Sequence, residues 1–243
     1  MTDDLSPAER GKRAAAVRAL EFVEDGMKLG LGTGSTAKWF VDLLAIRMRA
    51  EGLQITGVPT SSRTRAQAEA LGIPLATLDQ AGWLDLTIDG ADEFDADLNL
   101  IKGGGGALLQ EKIVASASDR MVVITDPSKQ VATLGAFPLP VELVRFGAGT
   151  TMRLIGQLLE RHDVANRAMQ LRGDTNTPYI TDEGHYIVDL NLARIGDPAR
   201  LNSELNAIPG VVETGLFCGI ASVIVVGEPD GTARVIARLG DCP

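Results

Sequence analysis

Histidine and cysteine are scarce, with two of each among 243 residues. His162 and His185 stand in polar surroundings without a second histidine or a cysteine at metal-ligand spacing, and Cys218 and Cys242 form no C-x-x-C pair. This argues against a histidine-built metal centre, a Ser-His-Asp triad and a disulfide framework, and both cysteines are expected to be free thiols. Long apolar runs are lacking too. No stretch approaches the roughly 18 to 20 uninterrupted apolar residues of a spanning helix, and Met1 to Arg13 has no basic region followed by an apolar core. The protein is therefore expected in the cytoplasm, away from membranes. Basic residues number 23 against 32 acidic ones, giving a net charge of -9 and a pI near 4.8. That balance opposes binding to nucleic acid, so any phosphate bound is expected to be one small group in a local pocket.

What is present is an ordinary globular composition, 45% hydrophobic, arranged as alternating strands and helices. Ser6-Pro7-Ala8-Glu9 has the form of a capping box and opens a helix to about Glu24. Met27 to Leu31 reads as a buried strand, Gly32 to Ser35 as a loop and Thr36 to about Arg49 as a helix. The pattern continues with a strand at Gln54 to Pro59, a helix at Ser62 to Leu71, and strands at Leu75 to Leu78 and Leu84 to Ile88. After a glycine run, a helix from Ala107 to about Ser116 leads into the strand Met121 to Thr125. Such alternation predicts a mainly parallel, doubly wound sheet in an α/β domain. Beyond Lys129 come Pro138 and Pro140, a helix at Thr150 to Arg161 and an alternating strand at Tyr186 to Leu192. These indicate a smaller inserted α+β domain over residues 135–216. A closing hairpin, Ser222 to Gly227 and Ala233 to Arg238, returns to the first domain, which takes 1–134 and 217–243.

Three constellations bear on chemistry. Gly30-Leu31-Gly32-Thr33-Gly34-Ser35-Thr36 joins a strand to a helix, so amides at the helix start and the neighbouring hydroxyls can cradle an anion. It lacks the third glycine of a dinucleotide fingerprint and the Gly-Lys-Ser/Thr of a P-loop, and a tight turn without ligand accounts for the spacing as well. Asp89-Gly90-Ala91-Asp92-Glu93-Phe94-Asp95 places four acids directly after an apolar strand, where open parallel sheets bind ligands. Hydroxyl recognition, a cation and a solvated loop are all compatible with that run, although it lacks the order of a calcium loop. Lys102-Gly103-Gly104-Gly105-Gly106 precedes the helix that carries Glu111. Four consecutive glycines cost conformational entropy, which a closely approaching ligand would explain. The helical neighbours of Glu111 at three and four residues are Ala107, Leu108, Val114 and Ala115. On that apolar stripe a carboxylate is expected to be desolvated with a raised pKa, as suits a general base, while a lysine-paired or solvent-facing Glu is the alternative.

Taken in order, these segments closely resemble type A ribose-5-phosphate isomerase: G-x-G-T-G-S-T at Gly30 to Thr36, D-G-A-D-E at Asp89 to Glu93 and I-K-G-G-G at Ile101 to Gly105. Similar too are Glu111-Lys112-Ile113, Ser128-Lys129-Gln130, Phe137 to Glu142 and Asn206 to Val212. The resemblance implies a Rossmann-like domain with an inserted α+β domain, no metal or organic cofactor, and a homodimer or dimer of dimers. It implies that a small-molecule sugar phosphate is bound by Lys12, Thr33, Gly34, Ser35, Thr36, Asp89, Gly90, Ala91, Asp92, Lys102, Gly103, Gly104, Gly105 and Lys129. Glu111 would be the proton acceptor, Lys102 would support the enediolate, and Asp89 and Asp92 would hold sugar hydroxyls, one of them assisting ring opening. The departures are Gly106, Gln110 where many relatives carry a basic residue, and the extra tail Gly240 to Pro243. Two rivals share related folds, a sugar-phosphate sensor domain and a coenzyme A transferase with Glu111 as nucleophile. The acidic charge and the lack of a segment for a helix-turn-helix oppose the first, and an acyl adduct would mark the second.

Overall fold

The computed structural model describes residues 5–174 and 177–237. Arg238, Cys242 and the tail Gly240 to Pro243 lie outside the described residues. The chain forms two compact units, one of residues 1–91, 110–130 and 220–243, the other of 92–109 and 131–219. This division differs from the expected boundaries mainly at residues 92–109. The acidic run, expected as a turn of the first domain, contains the short strand Glu93–Phe94, and a second short strand, Leu100–Ile101, precedes the glycine run; both belong to the second unit.

The first unit is built on a six-stranded sheet. Its spatial order is Ala233–Ala237, Val223–Gly227, Met121–Thr125, Leu86–Asp89, Lys28–Leu31 and Thr56–Pro59. All neighbours run parallel except the closing hairpin, Val223–Gly227 with Ala233–Ala237. The central strands are apolar because both faces are covered. Leu29, Leu31, Ile88, Val122, Ile124, Val223 and Val225 join Phe40, Val41 and Leu44 of the helix Ser35–Glu51 in one core. The first helix, Pro7–Ala19, is capped by Ser6, whose hydroxyl accepts the Glu9 N–H. The Glu9 carboxylate does not complete the box but accepts from Lys12 and from the Trp39 indole. The strand expected at Leu75 to Leu78 is instead a bridge at Leu75 and a helical turn, Leu78–Ala81. There Thr77 and Gln80 form the reciprocal capping box, which ends any extended run.

The second unit is α+β. A four-stranded antiparallel sheet has the order Val211–Thr214, Leu139–Leu143, Tyr186–Asn191 and Ala168–Leu171. The helices Ala148–Leu159 and Pro198–Asn206 contribute Ile155, Leu158, Leu159, Leu201 and Leu205 to a core with Val141, Leu143, Val188 and Leu190. Pro140 escapes the usual exclusion of proline from central strands. Its carbonyl accepts the Gly215 N–H, and the ladder to Val211–Thr214 begins only at Val141.

Candidate functional site

Within the first unit, the strand Lys28–Leu31 has Thr56–Pro59 on one side and Leu86–Asp89 on the other. Successive connections therefore leave it in opposite directions, which makes the carboxyl ends here a topological switch point, where open α/β sheets bind ligands. The turn at 32–34 leaves this point. The Gly32 N–H donates to the Ile88 carbonyl (2.9 Å), and the Thr33 N–H donates to Asp89 Oδ1 (3.0 Å). Asp89 Oδ1 also accepts from the Gly90 N–H at 2.7 Å, and the residue is wholly buried. A Cβ on Gly32 would stand 2.2 Å from that oxygen, so only glycine allows the carboxylate to approach. Gly34, at φ +130°, turns the chain into the 17-residue helix Ser35–Glu51 without a side-chain cap. The helix therefore presents its first amides and Ser35, which is exposed.

Glu111 lies in the first turn of the helix Leu108–Ser116 and is 3% exposed. Leu108, Val114 and Ala115 of its predicted stripe are buried, and Ile113 faces outward. The missing side chain of Gly30 makes room for Val114, since a Cβ there would meet Val114 Cγ1 at 2.7 Å. Further along, Ser118 Oγ bonds Thr87 Oγ1 (2.7 Å) and the Ala117 carbonyl accepts the Leu84 N–H (2.8 Å). The helix thus runs antiparallel to the strands. Glu111, three residues before Val114, lies about 4.5 Å farther along the axis, toward the carboxyl ends.

Within the second unit, Lys102 is 2% exposed and its ammonium lies 5.4 Å from the centroid of the Phe217 ring. The Lys102 backbone N–H donates to the Gly215 carbonyl. Gly103 has φ +104°, and Gly104 donates its N–H to Asp92 Oδ2 at 2.7 Å. A Cβ on Gly104 would meet both Asp92 oxygens within 2.9 Å. Gly105 is exposed.

The four acids of the run serve different hydrogen-bond partners. Asp89 belongs to the first unit, whereas the Glu93 carboxylate accepts from the Gly135 N–H (2.7 Å) and the Phe137 N–H (2.5 Å). Asp95 ties a local turn through the Asp97 and Asn99 amides. Among the described residues no group of three or more His, Cys, Asp or Glu side chains could hold a metal ion.

Other sequence-predicted residues are placed unevenly. The Thr33 hydroxyl is buried among those of Thr60 (2.8 Å), Ser61 (2.8 Å) and Thr64 (3.0 Å), so this residue braces the turn with its side chain. That hydroxyl cluster was not anticipated, although a Thr-Ser-Ser-Arg-Thr run directly after the strand Thr56–Pro59 was its signal. Thr36 is buried in the first turn of its helix, while Gly90 and Ala91 are half-buried. Lys12 pairs with Glu9 at 2.8 Å. The Lys12 ammonium and the Trp39 indole N–H together hold the Glu9 carboxyl below its ordinary pKa. Lys129 ends the turn Pro127–Lys129 that follows the strand Met121–Thr125.

The chain matches the family model of ribose 5-phosphate isomerase A (phosphoriboisomerase A) over residues 56–231. It is 59% identical to a Ruegeria sp. ribose-5-phosphate isomerase A over 235 residues, covering 97% of this chain and 90% of the relative. The solved ribose 5-phosphate isomerase of Plasmodium falciparum superposes with a TM-score of 0.88 at 34% identity, covering 93% of this chain and 97% of that one. A D-ribose-5-phosphate isomerase solved in complex with phospho-erythronic acid gives 0.87 at 38% identity, with coverage of 93% and 97%.

Proposed function

This chain belongs to the ribose 5-phosphate isomerase A family, and on that premise we propose that Glu111 is the base of an enediolate mechanism. The protein is an aldose-ketose isomerase that interconverts D-ribose 5-phosphate and D-ribulose 5-phosphate. The observation that carries the proposed mechanism is the burial of Glu111 toward the carboxyl ends of the parallel strands, at 3% exposure. A carboxylate kept from bulk water can hold an abstracted proton long enough to return it.

The reaction moves a carbonyl from C1 to C2. Glu111 removes the C2 proton, the electron pair forms the C1–C2 double bond of the enediolate, and the former carbonyl oxygen takes the negative charge. Return of the proton to C1 gives the ketose, as the O2 hydroxyl loses its proton and O1 gains one. Within the second unit, Lys102 and the amides of Gly103 and Gly105 are assigned to the charge that develops on oxygen, because a buried cation held against Phe217 needs little reorganisation. Asp92, whose Oδ2 serves the Gly104 N–H, offers Oδ1 to a sugar hydroxyl. Asp89 holds the turn at 32–34 through two amides. In the first unit, the uncapped helix start at Ser35 and Thr36, with Gly34, is assigned to the phosphate, and Lys12 and Lys129 to further anion contacts.

No organic cofactor or metal has a part in this scheme. We place the enzyme in the cytoplasm as a homodimer or dimer of dimers. Among the described residues no helix is long and apolar enough to cross a membrane. The mechanism is tested by running the isomerisation in D₂O. Over many turnovers, proton transfer through Glu111 predicts that solvent deuterium accumulates at the carbon that receives the proton even where most protons are returned unexchanged, whereas a hydride shift would leave that carbon free of it. An acyl adduct on Glu111 after incubation with acyl-coenzyme A would favour a transferase.

A further inference from the structure

Two of the four glycines at 103–106 adopt a backbone that side chains rarely tolerate, and contacts from outside the loop hold it. Gly103 and Gly106 have φ of +104° and +81°. In the same unit, Arg172 Nη1 donates to the Gly103 carbonyl at 2.8 Å and reaches the Gly104 carbonyl at 3.4 Å. The opposite edge of the guanidinium forms a two-pronged pair with Asp189, Nε to Oδ2 at 2.9 Å and Nη2 to Oδ1 at 2.5 Å. Its Cζ lies 5.9 Å from the centroid of the Tyr179 ring, and Tyr179 packs so closely on the loop that a Cβ on Gly106 would meet its hydroxyl at 2.1 Å. Asp189 sits on a central strand, Tyr186–Asn191, and the pair is largely buried, with side chains 18% and 21% exposed. A planar fork locked on one side by a carboxylate and used on the other to grip two carbonyls is specific to arginine.

We infer that Arg172, oriented by Asp189, is a positioning residue that fixes the glycine loop so that Lys102 and the loop amides meet the enediolate oxygen. The inference rests on the assignment of that loop to substrate in the proposed mechanism. Carbonyls gripped from one side orient the peptide planes, and hence the amide donors of the same peptides. Misplacement of about 1 Å costs up to about 100-fold in rate.

The test compares the parent with Arg172→Met, Arg172→Lys, Asp189→Asn and Lys102→Met in steady-state kinetics on ribose 5-phosphate, well below each melting temperature. Arg172→Met should lower kcat about 10- to 100-fold with KM changed far less. Arg172→Lys should recover little of that, and Asp189→Asn should fall in the same direction by less. Combined with Lys102→Met, the effect of Arg172→Met should be clearly less than multiplicative, since both act through one loop. A folded Arg172→Met with parental kcat, or full recovery in Arg172→Lys, overturns the inference while leaving the mechanism standing if Lys102→Met is slow. If Lys102→Met is as fast as the parent, the assignment of the loop fails and this inference with it. Should Arg172→Met not fold, Asp189→Asn carries the same comparison, and parental kcat there is the contrary result.

Discussion

Gly32 and Asp89 show how one atom decides a site. The carboxylate reaches the Thr33 amide only because residue 32 has no Cβ, which would otherwise lie 2.2 Å from Oδ1. Gly32→Ala is therefore expected to displace Asp89 and the turn together. Both the melting temperature and kcat/KM should fall, and a variant that keeps parental values of both contradicts the close-approach account. Glu142 illustrates a different balance. Its carboxylate is buried, accepting from Thr181 Oγ1 (2.9 Å) and paired with His185 Nδ1 (3.0 Å), and burial pushes its pKa above the ordinary value. A carboxyl whose folded pKa is raised binds its proton more tightly in the native state, so it favours folding at low pH. That advantage declines as pH rises from the ordinary value of 4.5 toward the folded pKa. Glu142→Gln keeps the acceptor oxygen and removes the titration. Over that window the parent should lose stability relative to the variant, with each kcal/mol appearing as about 2–4 °C in melting temperature. A constant difference in melting temperature from pH 4 to 7 would contradict this.

At the scale of elements, periodicity located the parallel strands well because burial on both faces makes them continuous apolar runs; Met121–Thr125 coincides with its prediction. The strand Leu139–Leu143 was missed because Pro138 and Pro140 are signals against a central strand, and the chain meets that objection by starting one ladder after Pro140. The short pairings Glu93–Phe94 and Leu100–Ile101 were illegible for another reason. Two-residue strands carry no period, and their position rests on the Glu93 carboxylate binding the Gly135 and Phe137 amides, contacts made across more than forty residues of sequence. The same limit hid Arg172, an arginine without motif whose partners only the fold supplies. The glycine-rich turn and the stripe around Glu111 were legible because both are local. An element-level prediction follows from the uncapped start of the helix Ser35–Glu51, assigned to phosphate. Free ribose should then show a kcat/KM far below that of ribose 5-phosphate, since remote binding energy is lost with the phosphate. Comparable values for the two sugars would remove that assignment.

At the scale of the whole molecule, a chain of net charge -9 processes a small anion, which requires cationic and amide donors to be concentrated locally. The acids of residues 89–95 are engaged largely with backbone amides of their own units, which supports assigning them to geometry and not to a cation. Isomerase activity is accordingly expected to survive EDTA, and loss on chelation that a divalent ion restores would contradict that division of labour. The central claim concerns proton transfer by one buried carboxylate, and the most direct test is kcat for Glu111→Gln on ribose 5-phosphate, measured on folded protein. Gln preserves the shape and removes the base, so kcat should fall by about 10²- to 10⁴-fold. A folded Glu111→Gln enzyme that turns over within a few-fold of the parent would contradict the account.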